Sequence, residues 1–277
     1  MAQESQPALP PRTGPAFAVE ANADAWFARL VGDVTSAAGV ERDVRDLDLR
    51  DSEVAFAGSL RFQWERGFAE VGGLSFATDG AYTDGADAFE SDFRWWGASV
   101  DLGYAFWTPF SDSVWPWTGG AFGEASHDRF GGNVNSNGDY RVELRVSPTI
   151  GMTYHDIELN DINITQATQD GLDGGWLALR GGAEMQLWLR PGADFSFLKA
   201  IVIEAALSAG GVFGLTGEAS GTGIGFELDA GVRLYFHENI GARLGYRLNR
   251  AEFDGEAGSS DLDLGAYGLF AGITLRF

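Results

Sequence analysis

The sequence predicts an all-β protein: a closed, antiparallel, up-and-down transmembrane β-barrel of ten strands, with twelve as the alternative. Three observations predict it. First, apolar residues alternate with polar or small ones from Asp24 to Phe277, the period at which strand side chains share a face. Second, the alternation falls into segments of 11 to 17 residues, against about 5–6 for an ordinary strand and roughly 9–11 for one that crosses a bilayer at a tilt. Third, bulky apolar groups take one face, and small residues and charges take the other. A sheet that turns an apolar face to lipid has to close, because an unpaired backbone edge has no water to satisfy it there.

Residues 1–23 read as an irregular leader, since Pro7, Pro10, Pro11 and Pro15 can neither continue a helix nor pair within an inner strand. The start, Met1-Ala2-Gln3-Glu4, lacks the basic and apolar regions of a signal peptide and reads as a mature N-terminus left after signal removal. The barrel then occupies 24–277. Its segments are 24–36, 52–64, 68–78, 92–107, 140–156, 174–190, 199–213, 223–236, 240–250 and 263–277, with 24–34 and 68–78 fitting the period more loosely. In the last, Tyr267, Leu269, Ala271, Ile273, Leu275 and Phe277 form one face, and Ala266, Gly268, Phe270, Gly272, Thr274 and Arg276 the other.

Residues 108–139 are the ambiguous stretch. Trp115, Trp117, Ala121 and Ala125 suit a further up-strand, with a turn at Pro148, which gives twelve. Val142, Leu144, Val146, Ile150 and Met152 keep one phase through Pro148, which gives ten and leaves 108–139 as a long connection. Tight turns at 65–67 and 237–239 fall at one end, and longer loops at 37–51, 79–91, 157–173 and 251–262 at the other. Three windows there, 79–92, 156–173 and 252–263, hold five acids each and no base. They account for fifteen of the formal net charge of −21, so the acidity belongs to one rim.

The polar face carries Arg29, Arg61, Asp101, Arg141, Glu143, Arg145, Arg180, Glu184, Glu204, Glu227, Asp229, Arg233, Arg243, Arg247 and Arg276 among glycine, alanine and serine. An open water-facing surface tolerates lysine and glutamine. This face pairs arginine with carboxylates, as a crowded interior with matched charges requires, and Lys199 is the single lysine of the chain. It is therefore the lumen. Trp64, Trp96, Phe106, Tyr154, Phe236, Tyr246 and Phe277 lie near segment ends on the opposite face, as interfacial girdles do.

Composition removes other classes. There is no cysteine, hence no disulfide scaffold, thiolate metal site or thiol catalysis. A pI near 4.3 opposes nucleic-acid binding. Nine tryptophans, twenty phenylalanines and 45% hydrophobic residues oppose disorder. No apolar run is long enough for a transmembrane helix, and the sequence calls for no cofactor and no metal.

The closing run Gly265-Ala-Tyr-Gly-Leu-Phe-Ala-Gly-Ile-Thr-Leu-Arg-Phe277 resembles the C-terminal β-signal of bacterial outer-membrane barrel proteins. Phe277 matches the terminal aromatic, and Tyr267, Leu269, Ile273 and Leu275 the alternating apolar positions. The resemblance implies an outer-membrane location, contact with outer-membrane lipid and lipopolysaccharide, insertion by the barrel assembly machinery, and extracellular long loops.

The expected function is non-enzymatic: a structural barrel, or a narrow passive route for small solutes along the charged lumen. Ten strands give a mostly filled interior, and twelve a narrow pore. The alternatives are a lipid-modifying barrel enzyme and a surface adhesin or receptor using the acidic loops. For the enzyme the candidates are Ser126, His127 and His155, but adjacent strand residues point to opposite faces, which argues against a Ser126–His127 dyad. The acidic loops suit either a solvated rim or divalent cations bridging to lipopolysaccharide phosphates. A soluble sandwich or lipocalin-like barrel would turn the apolar face inward and has no need of such long strands.

Overall fold

The computed structural model describes residues 17–35, 41–64, 66–105, 141–166, 168–190, 197–217, 221–237, 239–255 and 261–277. Ten long strands, β1 (Phe17–Thr35), β3 (Glu53–Trp64), β4 (Gly67–Asp84), β5 (Asp87–Tyr104), β6 (Arg141–Asn163), β7 (Thr168–Arg190), β8 (Ala200–Gly217), β9 (Gly221–His237), β10 (Ile240–Gly255) and β11 (Asp261–Arg276), pair antiparallel in chain order. A short β2 (Glu41–Asp43) pairs, among the described residues, only with the upper end of β1. β11 also pairs with β1, so the sheet closes, and Phe277 and Val19 seal its lower end by exchanging backbone hydrogen bonds of 2.8 and 3.0 Å.

Pairing runs from Glu20 through Arg61, Glu70, Asp101, Gly151, Arg180, Gly210, Gly225, Ala251 and Leu264 back to β1 at Gly32, 12 residues farther on. A stagger of that size over ten strands sets a tilt of about 40°. β6 continues unbroken through Pro148, whose side chain points outward and exposed. The segment Trp115–Ala125 lies outside the described residues.

Three expectations are corrected. β1 begins at Phe17, so 17–23 belong to the barrel and not to the leader; 1–16 lie outside the described residues. The strands also run well past the apolar segments at the upper end. β4 and β5 are joined by only Gly85 and Ala86, with Gly85 at φ 63°, and β6 and β7 by residues 164–167. The acidic windows therefore lie largely on extended hairpins, not on long loops. Finally, Arg29 faces outward: in β1 the inward set is Glu20, Asn22, Asp24, Trp26, Ala28 and Leu30, all buried.

On the outer face Phe56, Leu102, Ile150, Leu179, Leu207, Ile224, Leu244, Leu269 and Ile273 are exposed. In β11 the outward apolar set runs from Tyr267 to Phe277, a height of about 25 Å at this tilt, which equals the apolar band of membrane barrels. Above it the outward residues turn charged at one level around the barrel: Arg29 after Phe27, Arg94 beside Trp96, Asp156 after Tyr154, Arg250 after Leu248. Trp64, Tyr104, Phe236 and Phe277 border the band below and Trp96 and Tyr154 above, whereas Tyr246 lies deeper in the band, below the outward Leu248 and beside Leu269. Phe106 lies outside the described residues.

The closing seam needs glycine at Gly268, because a Cβ there would overlap the Phe27 carbonyl of β1. Gly268→Val is expected to prevent closure. Gly181→Ala, where the nearest atom to a new Cβ is 3.9 Å away, is expected to leave it intact. The heat-modifiable shift of the folded band on a denaturing gel reads both; a Gly268→Val protein with an unchanged shift contradicts the seam argument.

Candidate functional site

The interior is stacked in three layers, and the inward positions of neighbouring strands fix each one. The upper layer is apolar. Trp26, Leu30, Phe76, Phe93, Trp95, Ile157, Trp176, Leu264 and Phe270 fill the lumen from all sides and are almost fully buried. The segment after β2 folds into it as a plug, with Val44, Leu47 and Leu49 each no more than 2% exposed. That segment is a helical turn held by Asp46 N–H to Asp43 O (2.9 Å), Leu49 N–H to Val44 O (3.1 Å) and Val44 N–H to Gly32 O (3.0 Å). It sits flat on β4 at Gly80, where a Cβ would collide with the Leu47 and Asp48 backbone.

The middle layer lies at the depth of the apolar outer band and is charged. Eight carboxylates (Glu20, Asp24, Glu70, Asp101, Glu184, Glu204, Glu227, Asp229) meet five guanidiniums (Arg61, Arg180, Arg233, Arg243, Arg247). Arg61 reaches Glu70 at 2.7 Å and spans the lumen to both oxygens of Glu184. Arg180 holds Asp101 at 2.6 Å and also Glu227. Arg233 joins Glu204 and Glu20. Arg243 gathers Asp24 (2.7 Å), Glu204 (2.8 Å) and Asp229 (3.3 Å), and Arg247 reaches Asp229 (2.7 Å) and Asp24 (3.2 Å). The guanidiniums of Arg243 and Arg247 also lie 4.8 and 5.0 Å from the Phe270 ring centre. A cavity of about 220 Å3 remains among these groups, walled also by Ser59, Ser99, Thr153 and Ser208.

The lower layer is small. Trp188, Ala200, Val202 and Tyr235 cluster there, with Trp188 stacked on Tyr235 at 5.8 Å. Arg145 and Arg276 place their guanidiniums 5.8 and 5.2 Å from the Trp188 ring centre.

Among the residues expected in the lumen, Arg61, Asp101, Arg180, Glu184, Glu204, Glu227, Asp229, Arg233, Arg243 and Arg247 thus line one chamber in three ion-paired groups, centred on Arg61, on Arg180 and on Arg233 with Arg243 and Arg247, while Arg145 and Arg276 lie below them. Arg29 is outside the barrel wall, and the side chains of Arg141 and Glu143 lie outside the described residues. The sequence reading missed Glu20, Asp24 and Glu70. Glu20 fell within the presumed leader. Arg29 among the lumenal charges implies one phase for β1, whereas the alternation of Glu20, Asn22 and Asp24 signals the opposite phase.

His155 lies inward at the top of the chamber. Its Nδ1 accepts a hydrogen bond from Trp95 Nε1 at 3.0 Å, and the Trp95 and Trp176 rings flank it at 5.4 and 5.2 Å. Ser126 and His127 lie outside the described residues. The apolar C-terminal positions Tyr267, Leu269, Ile273, Leu275 and Phe277 all face outward.

At the upper rim, like charges stand directly opposite each other in the ladder: Asp79 with Asp92, Glu158 with Asp173, and Asp33 with both Asp263 and Asp43. Tyr82 donates to Asp161 at 2.7 Å; burial, this bond and the Asp161 charge push the phenol up. Burial pushes the Asp33 carboxyl up, as do the charges of Asp263, Glu41 and Asp43, with Arg250 opposing them. A carboxyl raised in the folded state contributes stability below its unfolded pKa and loses it as pH rises through the folded one. Asp33→Asn is therefore expected to stabilise the protein by roughly 0.5 kcal/mol at neutral pH and by nothing at pH 3. Denaturant unfolding at the two pH values measures this, and an equal effect at both contradicts it.

No family model and no curated protein matches the sequence. Solved structures similar to it include the outer membrane protease OmpT from Escherichia coli, at 8% identity and TM-score 0.44, over 96% of this chain and 99% of that one. Neisserial surface protein A is similar at 13% identity and TM-score 0.33, over 95% and 97% of the two chains. Ail, the attachment invasion locus protein of Yersinia pestis, is similar at 10% identity and TM-score 0.32, over 93% and 98%.

Proposed function

We propose that this chain is an integral bacterial outer-membrane β-barrel with a closed lumen: a non-enzymatic, membrane-embedded scaffold that presents an acidic rim at the cell surface. The observation that carries the reading is the stacking of surfaces. An outer apolar band of bilayer height surrounds a charged middle, and a dry aromatic layer with its inserted turn closes the upper mouth. A protein in water has no reason to expose Phe56, Ile150, Leu244 and Leu269 on one continuous belt, whereas lipid requires it. The resemblance of the alternating outward residues Tyr267, Leu269, Ile273 and Leu275 to a β-signal supports delivery by the barrel assembly machinery, with lipid and lipopolysaccharide as neighbours of the belt and rim.

Closure favours the scaffold over the passive route. The arginines of the lumen are held to facing carboxylates across it, and the layer above leaves His155 boxed between indoles. Planar-bilayer recording of the refolded chain is expected to show no discrete conductance steps. Reproducible steps would establish a pore and overturn the closed-barrel reading. Turnover of labelled phospholipid or lipid A by the same preparation, lost on His127→Ala, would overturn the non-enzymatic reading.

A further inference from the structure

We propose that the upper edge of β4 receives an extended, basic peptide segment as an added strand. β3 and β4 stay paired only from Gly67 to Ser75 of β4, where Ser75 meets Phe56. Above that level β3 keeps to β1, pairing Ala55, Val54 and Glu53 with Trp26, Phe27 and Ala28. β4 continues for nine more residues, Phe76 to Asp84, each paired with β5. Among the described residues this stretch has no ladder partner on its other side. The turn of residues 43–49 does not fill that lane. It folds inward as the plug and lies against the lumenal face of β4 at Gly80.

The hairpin fixes which backbone groups are free. Gly85 and Ala86 form a two-residue turn closed by Asp84 opposite Asp87, and the closing pair of such a hairpin exchanges both of its hydrogen bonds. Alternation down the ladder turns the N–H and C=O of Tyr82, Gly80, Thr78 and Phe76 toward β5. Those of Thr83, Ala81, Asp79 and Ala77 then point into the vacant lane. The lower end of the same pair of strands agrees in parity, since Arg66 O accepts from Ala105 N–H at 2.7 Å. All four edge residues are exposed. Four donors and four acceptors thus stand in a row about 20 Å long.

An edge in water is ordinarily guarded by lysine, proline or a bulge. The run Phe-Ala-Thr-Asp-Gly-Ala-Tyr-Thr-Asp from Phe76 to Asp84 has no lysine or proline, and its register with β5 is unshifted. Charge selects what fits there. Asp79, Asp84, Asp87, Glu90 and Asp92 lie on this hairpin without a base among them, and Arg94 on β5 is engaged by Asp92 at 3.1 Å and Glu158 at 3.8 Å. A second copy of this chain would bring the same acids to the same edge, and like charges across a ladder are destabilising. A segment carrying lysine or arginine meets the opposite charge. It completes the ladder through its backbone and is chosen through its side chains. This gives the acidic rim of the proposed scaffold a partner class, and rests on that reading only for the rim's place in water above the belt.

The test uses the full chain refolded in a nonionic detergent and a labelled synthetic peptide of the same length as the edge, with lysines alternating with threonine and valine. By fluorescence anisotropy it is expected to bind at least about tenfold tighter than the same peptide with a central proline, or with glutamate in place of lysine. On the unmodified chain, amide exchange is expected to slow on binding at Ala77, Asp79, Ala81 and Thr83. Exchange at Thr78, Gly80 and Tyr82, which bond to β5, is expected to stay as it was. Ala81→Pro removes one donor from the free edge and leaves the bonds to β5 in place, and is expected to weaken binding about tenfold. Equal binding of the proline peptide, no slowing at the four edge amides, or full binding by a folded Ala81→Pro chain would overturn the proposal. So would slowing of the same four amides as the chain alone is concentrated, which gives the edge to a second copy. If Ala81→Pro does not fold, the proline peptide and the exchange pattern decide. Heat-modifiable migration is scored on the same samples. Its loss removes the barrel reading, whereas its presence without a peptide effect removes only the edge site.

Discussion

Arg243→Met is expected to destabilise the folded barrel by about 3–5 kcal/mol, the cost of removing one partner from a buried ion pair. Arg243 holds Asp24, Glu204 and Asp229 together from three different strands, and its own side chain is only 10% exposed. Methionine fills part of the volume and preserves contact with Phe270, so the loss is mainly electrostatic. The clearest signature lies in the double variant. Asp24→Asn removes the carboxylate that Arg243 and Arg247 share, and in the Arg243→Met background it should recover about 1–3 kcal/mol. Equilibrium unfolding in guanidinium chloride after refolding into vesicles measures both. If Arg243→Met costs less than 1 kcal/mol, the middle layer is a hydrated surface in which screening has made its pairs nearly worthless.

Much of this was legible in the sequence because period-two alternation reports which face a residue takes, whatever the environment on that face. In β9, β10 and β11 the alternation is strict, so Arg233, Arg243, Arg247 and the facing acids Glu227 and Asp229 fall on the lumenal side by counting alone. What alternation does not report is height. Along β1 the inward positions change from Glu20 and Asp24 to Trp26 and Leu30 as the strand leaves the charged layer for the apolar one. A reading that assigns all polar residues to the lumen therefore places Arg29 wrongly and loses Glu20 and Asp24. Along β5 the outward positions change in the opposite sense, from Leu102 and Trp96 to Arg94 and Asp92. Where the environment switches on both faces, polarity stops marking strand ends, and the acidic windows read as loops. The plug was hidden for a related reason. Val44, Leu47 and Leu49 are apolar residues within a charged loop, and nothing local shows that the barrel mouth is what covers them.

The same plug gives the second large expected effect. Gly80→Val should unseat the turn of residues 43–49 without disturbing the ladder that builds the barrel. Gly80 faces inward on β4 above the apolar band, and a side chain there would occupy the space of the Leu47 and Asp48 backbone, with the Asp48 carbonyl carbon only 2.8 Å from a new Cβ. The obstruction is backbone, so no rotamer change relieves it. The turn has to lift, and it takes Leu47 and Leu49 out of the aromatic layer. Burial of those two leucines contributes on the order of 2–5 kcal/mol each, local stability that the barrel wall does not share, so the lid opens while the strands stay paired. The absence of cysteine provides a clean reporter. Ser99→Cys places a single thiol on the chamber wall, and a membrane-impermeant thiol reagent added outside the cell should modify it at least about tenfold faster once Gly80→Val is present, by the relation between opening free energy and rate of access. Gly73→Ala, on the outer face of the same strand with its nearest neighbour at 3.4 Å, serves as the control and should leave labelling unchanged. If Gly80→Val unfolds the barrel, the turn is part of the ladder's own stability. If labelling is rapid without it, the aromatic layer does not close the mouth, and the scaffold reading gives way to an open route.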